Sequence, residues 1–141
     1  MSNGNEIETM LKLLTINNIY STEEFKKDLL KLVNTNVKKF VKNFYRDIRR
    51  RNIEQYNRFE KLKLTKKQKE ILEGNDLYRY EYRNDSNLRC IYIINNDNNS
   101  NDDKTILLNA FNEDGDKFKG KKSYKDNIDR AIRIYLNIIK I

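Results

Sequence analysis

Leu77-Tyr78-Arg79-Tyr80-Glu81-Tyr82-Arg83, Leu88-Arg89-Cys90-Ile91-Tyr92-Ile93-Ile94 and Thr105-Ile106-Leu107-Leu108-Asn109-Ala110-Phe111 are three successive runs rich in aromatic and branched residues. Asn84-Asp85-Ser86-Asn87 and the polar stretch from Asn95 to Asp103 separate them. Such runs, divided by turn-forming residues, read as β-strands. At this spacing they predict an antiparallel meander, because a parallel crossover needs a dozen or more residues. In the first run Tyr78, Tyr80 and Tyr82 share one face, and Leu77, Arg79, Glu81 and Arg83 the other. In the second, Leu88, Cys90, Tyr92 and Ile94 oppose Arg89, Ile91 and Ile93. The third is apolar on both faces, as a covered strand should be. Arginines inside such strands are unusual for a purely structural sheet.

Both flanks read as helical. Ile7, Met10, Leu11 and Leu14 follow the i, i+3, i+4, i+7 spacing of one helix face, although Leu13 to Tyr20 can equally be read as a first strand. Ser21 and Glu24 suit a capping box before Phe25, Leu29, Leu32 and Val33. Asn36 suits the cap of a helix carrying Val37, Phe40, Val41, Phe44, Tyr45 and Ile48. Thr65 can cap a short helix burying Ile71 and Leu72, and Gly74 suits its left-handed end. Residues 52–64 read as loop. Ser123 is expected to begin the last helix, with Ile128, Ile132, Tyr135 and Leu136 inward. The expected class is α+β in a single domain, 1–141: an N-terminal extension (1–20), a basic helical part (21–73), the meander (77–111) and a closing helix (123–139).

The 141 residues carry 29 Lys and Arg against 21 Asp and Glu, a net charge of +8. The imbalance lies in residues 1–73, with 17 basic and 10 acidic side chains; residues 74–141 have 12 and 11. Such a balance points to a polyanionic partner, nucleic acid first. The basic groups form two clusters. One holds Lys38, Lys39, Lys42, Arg46, Arg49, Arg50 and Arg51; the other holds Lys61, Lys63, Lys66, Lys67 and Lys69. Both could also be simple solvated faces. No histidine and a single cysteine, Cys90, exclude imidazole chemistry, an internal disulfide and a cysteine metal cluster. Cys90 lies in a central strand and reads as a buried thiol. Glu113-Asp114-Gly115-Asp116 lacks the ligand pattern of an EF-hand, so a plain turn is expected and no metal. No membrane span or signal peptide is legible, which predicts a cytoplasmic location.

The chain also resembles a known family. Two helices precede Gly74-Asn75-Asp76-Leu77-Tyr78 and Arg83, then come Arg89-Cys90-Ile91-Tyr92, Leu107-Leu108-Asn109-Ala110-Phe111 and, in the last helix, Ala131-Ile132-Arg133. Over residues 22–136 this is similar to the RelE/HigB-like toxins of bacterial toxin–antitoxin modules, in particular the phage-derived HigB branch of the RelE/ParE superfamily. The resemblance implies a small antiparallel sheet with helices packed on one face. It also implies a cofactor-free, metal-independent mRNA endoribonuclease acting at the ribosome and neutralised by a cognate antitoxin. Carried onto this chain, it makes Arg83 and Arg89 the phosphate-binding catalytic arginines and Arg79 a further RNA contact. Tyr124 becomes the tyrosine that stacks on a base or assists proton transfer.

Glu81 stands where many members have a cation, and Asn112-Glu113 replaces a basic pair. Glu113 is then a candidate general base, and Lys117, Lys119, Lys121 and Lys122 can supply the missing positive charge beside Arg49 and Arg50. Against these roles, Arg83 and Arg89 could simply pair with Glu81 or Asp85. Two other functions fit the same residues: a non-catalytic interaction protein, as in the ParE toxins that poison a topoisomerase, and a basic nucleic-acid-binding protein.

Overall fold

The structure is a computed structural model that describes residues 3–33, 36–51, 58–82, 87–96, 103–113 and 117–139. In chain order the elements are α1 (Asn3–Ile16), β1 (Ile19–Ser21), α2 (Glu23–Leu32), α3 (Val37–Ile48), β2 (Phe59–Lys61), α4 (Lys66–Ile71), β3 (Leu77–Glu81), β4 (Leu88–Asn96), β5 (Asp103–Asn112) and α5 (Lys117–Ile139). The class is α+β. The five strands form one sheet in the order β1-β5-β4-β3-β2.

The meander is present as β3, β4 and β5, each antiparallel to the next. Its alternation places the side chains as expected. Tyr80, Tyr82, Leu88, Cys90, Tyr92, Leu107 and Ala110 join one core with α1, α2 and α3. Leu77, Ile91, Ile93, Leu108 and Phe111 join a second core under α5, with Leu72 at the end of α4. The N-terminal helices therefore pack on one face of the sheet, as expected, and the closing helix α5 covers the other. Strand β5 must be apolar on both sides because it lies under both layers.

A bulge in β5 adjusts that alternation. Ile91 pairs with Asn109 and Tyr92 with Leu107, leaving Leu108 as the extra residue. The fully buried Asn109 Nδ2 then donates to the Asn127 carbonyl of α5 at 3.2 Å.

Several local readings need correction. The ambiguous segment is both helix and strand: α1 buries Ile7, Met10, Leu11 and Leu14, then Ile19–Ser21 pairs with Thr105–Leu107. That pairing is parallel, so the sheet is mixed. Thr22, not Ser21, caps α2: its hydroxyl accepts from Phe25 N at 3.0 Å and donates to the Leu108 carbonyl at 2.9 Å. Ser21 is committed to the strand.

The stretch read as loop contains β2, an edge strand paired antiparallel with β3. Of the two residues expected to bury α4, Leu72 is buried and Ile71 is largely exposed. Asn95, Asn96 and Asp103, read as loop, pair in the sheet. Helix α5 starts at Lys117, earlier than Ser123. The caps Asn36 and Thr65 stand as read, Thr65 in a full capping box with Gln68. Gly74 takes the left-handed conformation with φ 85°.

Strand β1 is only three residues long, so β5 has an unpaired edge beyond Leu107. Helix α2 covers it with side chains. Asp28 Oδ2 accepts from Ala110 N at 2.9 Å, while Arg130 of α5 grips both Asp28 oxygens at 2.7 and 3.0 Å. Asp28→Ala is expected to cost about 2–3 kcal/mol, because it strands the buried Ala110 N–H as well as losing the ion pair. Asp28→Asn keeps an acceptor and should cost visibly less. Urea denaturation checks this; equal effects would mean the backbone bond is unimportant.

Candidate functional site

Register, more than sequence proximity, assembles the charged side chains. Glu60 in β2 lies opposite Arg79, and Arg79 lies opposite Ile91; Glu81 lies opposite Arg89, which lies opposite Phe111. Directly opposed residues point to the same face, so these two rows meet on the α5 side of the sheet. Tyr124 arrives from α5 and packs edge-on against Phe111, with ring centroids 5.1 Å apart.

The resulting cluster is tightly bonded. Arg79 Nη1 meets Glu81 Oε1 at 2.6 Å and donates to Tyr124 Oη at 3.1 Å, while Arg79 Nη2 pairs with Glu60. Arg89 Nε donates to Glu113 Oε2 at 2.8 Å and lies 3.8 Å from Glu81 Oε1. Glu81 thus sits between two guanidinium groups. Arg79, Glu81 and Arg89 keep little solvent exposure, whereas Glu60 is largely exposed and Glu113 partly so. Arg79 Nε is buried and has no hydrogen-bond partner among the described residues.

Burial raises the Tyr124 hydroxyl above its ordinary pKa, against the opposing pull of the Arg79 hydrogen bond. The phenol therefore stays protonated at neutral pH and can act as a proton or hydrogen-bond donor. Burial alone would lower Arg79; the Tyr124 bond and the nearby carboxylates outweigh it and hold the guanidinium charged.

Four of the residues singled out in the sequence therefore converge: Arg79, Arg89, Glu113 and Tyr124. Arg83 lies outside the described residues. Lys117, Lys119, Lys121 and Lys122 belong to the first turns of α5 and are not loop residues; their side chains also lie outside the described set. Arg49 and Arg50 follow α3, on the other side of the sheet, and do not join this cluster.

Two carboxylates beyond Glu113 complete the site. Glu81 was legible only as a departure from the expected cation. Glu60 was missed because β2 was read as loop; the only period-two signal nearby, Lys61-Leu62-Lys63-Leu64, begins at the end of the strand. The described side chains of the cluster hold two arginines and three glutamates, so its arginines are more than neutralised.

A second buried charge serves the fold. Asp47 is fully buried and accepts from Tyr80 Oη at 2.6 Å, Arg58 Nη1 at 2.9 Å and Arg46 Nε at 3.2 Å. Burial, then the Asp47 carboxylate, pushes the Tyr80 phenol far up, so it remains the donor. Cys90 is fully buried, and burial raises its thiol well above the reactive range. Among the described residues no acidic or cysteine cluster is arranged to hold a metal ion, and no helix is long and apolar enough to cross a membrane.

Because Glu81 is the carboxylate shared by Arg79 and Arg89, Glu81→Gln is expected to free positive charge there and strengthen anion binding. Inorganic phosphate at about ten times its Kd for the variant should then stabilise the variant by about 1.4 kcal/mol, which is roughly 3–5 °C in Tm. The same concentration should raise the wild-type Tm by less in a thermal-shift titration. No family model, curated protein or solved structure matches this chain.

Proposed function

We propose that this chain is a metal-independent endoribonuclease, the toxin of a toxin–antitoxin module, acting on mRNA at the ribosome. The observation that supports it best is the convergence of Arg79, Arg89, Glu81, Glu113 and Tyr124 on one face. Those are the functional groups that transesterification of RNA requires when no imidazole is available. The strand and helix order, the net charge of +8 and the family resemblance point the same way.

In this reading Glu113, the more exposed of the carboxylates bound to Arg89, takes the proton of a ribose 2′-hydroxyl. The 2′-oxygen forms a bond to the adjacent phosphorus, and the bond from phosphorus to the 5′-oxygen breaks. Tyr124 gives a proton to the leaving 5′-oxygen, and the products are a 2′,3′-cyclic phosphate and a 5′-hydroxyl. Arg79 and Arg89 meet the charge that develops on the phosphoryl oxygens, which is usually the largest contribution to such catalysis. Arg83 and the lysines at 117, 119, 121 and 122 are proposed to hold the neighbouring phosphates. A cognate antitoxin is the proposed protein partner, and no cofactor enters.

One observation favours a second reading. Glu60, Glu81 and Glu113 already satisfy the arginines, as in a structural charge network. A non-catalytic interaction protein, of the kind that inhibits a topoisomerase, would use the fold without opening this cluster. RNA would then remain intact, DNA supercoiling would be inhibited, and Arg89→Ala would change stability alone.

The two readings separate in one assay. Purified protein is expected to release 2′,3′-cyclic phosphate ends from RNA on ribosomes in magnesium buffer and from free RNA in EDTA. Arg89→Ala should lower the rate about 10²–10³-fold, as loss of a transition-state charge donor does. Intact RNA in both settings, or cleavage of free RNA that EDTA abolishes, counts against the proposal.

The pH profile gives an independent check. The rate should hold on the alkaline side past the ordinary tyrosine range, because burial keeps Tyr124 protonated there. A fall centred near neutrality would exclude Tyr124 as the acid.

A further inference from the structure

The arginines that do not join the cluster form a pocket of their own. Arg46, Arg49, Arg50 and Arg51, with Asn17 from the turn after α1, line a concavity of about 340 Å³ at the C-terminal end of α3. Four guanidinium groups around one concavity repel each other, and the negative end of the helix dipole offsets only part of that repulsion. Among the described residues, Asp47 is the carboxylate bonded to Arg46, and it is fully buried and shared with Arg58 and Tyr80.

Most of these arginines are held in place. Arg51 donates through Nε to Thr105 Oγ1 at 2.6 Å and through Nη1 to the Ile48 carbonyl at 3.2 Å. Arg46 is held by Asp47 through Nε at 3.2 Å, and Arg49 lies over the Tyr45 ring, 4.8 Å from its centroid. Arg50 is exposed and makes no side-chain ion pair or hydrogen bond among the described residues. Arginines fixed by their Nε or by stacking are already arranged for bidentate contacts to phosphate oxygens, so binding orders little that is not ordered already.

We infer that this pocket is a phosphate-binding site for the backbone of single-stranded nucleic acid, separate from the proposed cleavage site. Among the described residues the lining holds only arginine and asparagine, with none of the apolar side chains a lipid surface would need. The pocket lies on the α1–α3 side of the sheet and the Arg79–Arg89 cluster on the α5 side. A strand engaging both must pass round an edge of the sheet, so the inference, which rests on the nuclease reading for its biological meaning, implies a long or folded RNA substrate.

The test uses the full chain and a fluorescent single-stranded DNA of about 20 nucleotides. That probe has no 2′-hydroxyl, so binding is read without cleavage. Arg49→Glu/Arg50→Glu should weaken binding at least tenfold, and the neutral pair Arg49→Gln/Arg50→Gln should weaken it by a smaller factor in the same direction. In both variants the slope of log affinity against log salt should flatten by about 1.4, the value for two lost single-strand phosphate contacts. RNA left intact by the wild-type protein, with Arg49- and Arg50-dependent DNA binding retained, identifies failure of the nuclease reading alone.

Unchanged affinity in both double variants overturns the inference. So does an Arg49- and Arg50-dependent affinity for inorganic phosphate as high as that for the DNA, which would mark a small-anion site. Equally tight, Arg49- and Arg50-dependent binding to phosphatidylserine vesicles would mark a lipid-headgroup site and overturns it as well.

Discussion

The fold depends on how the open edge of β5 is closed. Beyond Leu107 the short strand β1 has ended, and a buried row of backbone donors would stand without partners. Thr22 takes the carbonyl side of that edge and Asp28 takes the Ala110 N–H. Because Arg130 reaches Asp28 from α5, one carboxylate joins a helix on one face, the sheet edge and the helix on the opposite face. A buried backbone group without a partner costs as much as a lost hydrogen bond. The position of α2 is therefore set as much by polar satisfaction as by the burial of Phe25 and Leu29.

Between α3 and the sheet the packing is aromatic. Phe44 stacks on Phe40 at 5.4 Å and meets Tyr80 edge-on at 5.3 Å; Tyr78 stacks on Tyr92 at 5.4 Å. Tyrosine brings a hydroxyl into this core, and that of Tyr80 needs a partner because it is fully buried. Asp47 supplies it, and the aspartate in turn requires Arg58 and Arg46. A polar chain thus runs from the core out to the α3 terminus. It places Arg46 at the rim of the arginine pocket as a by-product of satisfying a core hydroxyl.

On the α5 face the same economy of charge acts differently. Arg79, Glu81 and Arg89 are too covered to be solvated freely, so each must find an opposite charge. In the resting arrangement glutamates provide it. In the nuclease we propose, a phosphate approaching Arg89 competes with Glu113, the partly exposed carboxylate, and frees it to act as a base. Catalysis and charge satisfaction would then use the same ion pairs in two states. The described lining of the arginine pocket, by contrast, carries four guanidinium groups.

The sequence alone determined the parts governed by local rules. Period-two alternation assigned the faces of β3 and β4, because side chains on a strand have no other choice. Periodicity and capping chemistry located α1, α3 and α4, and composition excluded imidazole chemistry, an internal disulfide and a cysteine metal cluster. The family resemblance singled out Arg79, Arg89, Glu113 and Tyr124 without being able to show that they meet.

What only the tertiary structure decided was non-local. The three residues of β2 are too few for a pattern and exist because β3 pairs with them. The parallel pairing of β1 with β5 joins residues more than 80 positions apart, and Thr22 displaced Ser21 as a cap because that pairing consumes Ser21. The bulge at Leu108 and the placing of α5 opposite the other helices followed from two cores having to be filled at once. Most of all, register put Glu81 beside Arg89 and Glu60 beside Arg79, turning a row of arginines into a balanced acid–base cluster. Charge is written in the sequence, but whether it is neutralised depends on which strand lies next to which.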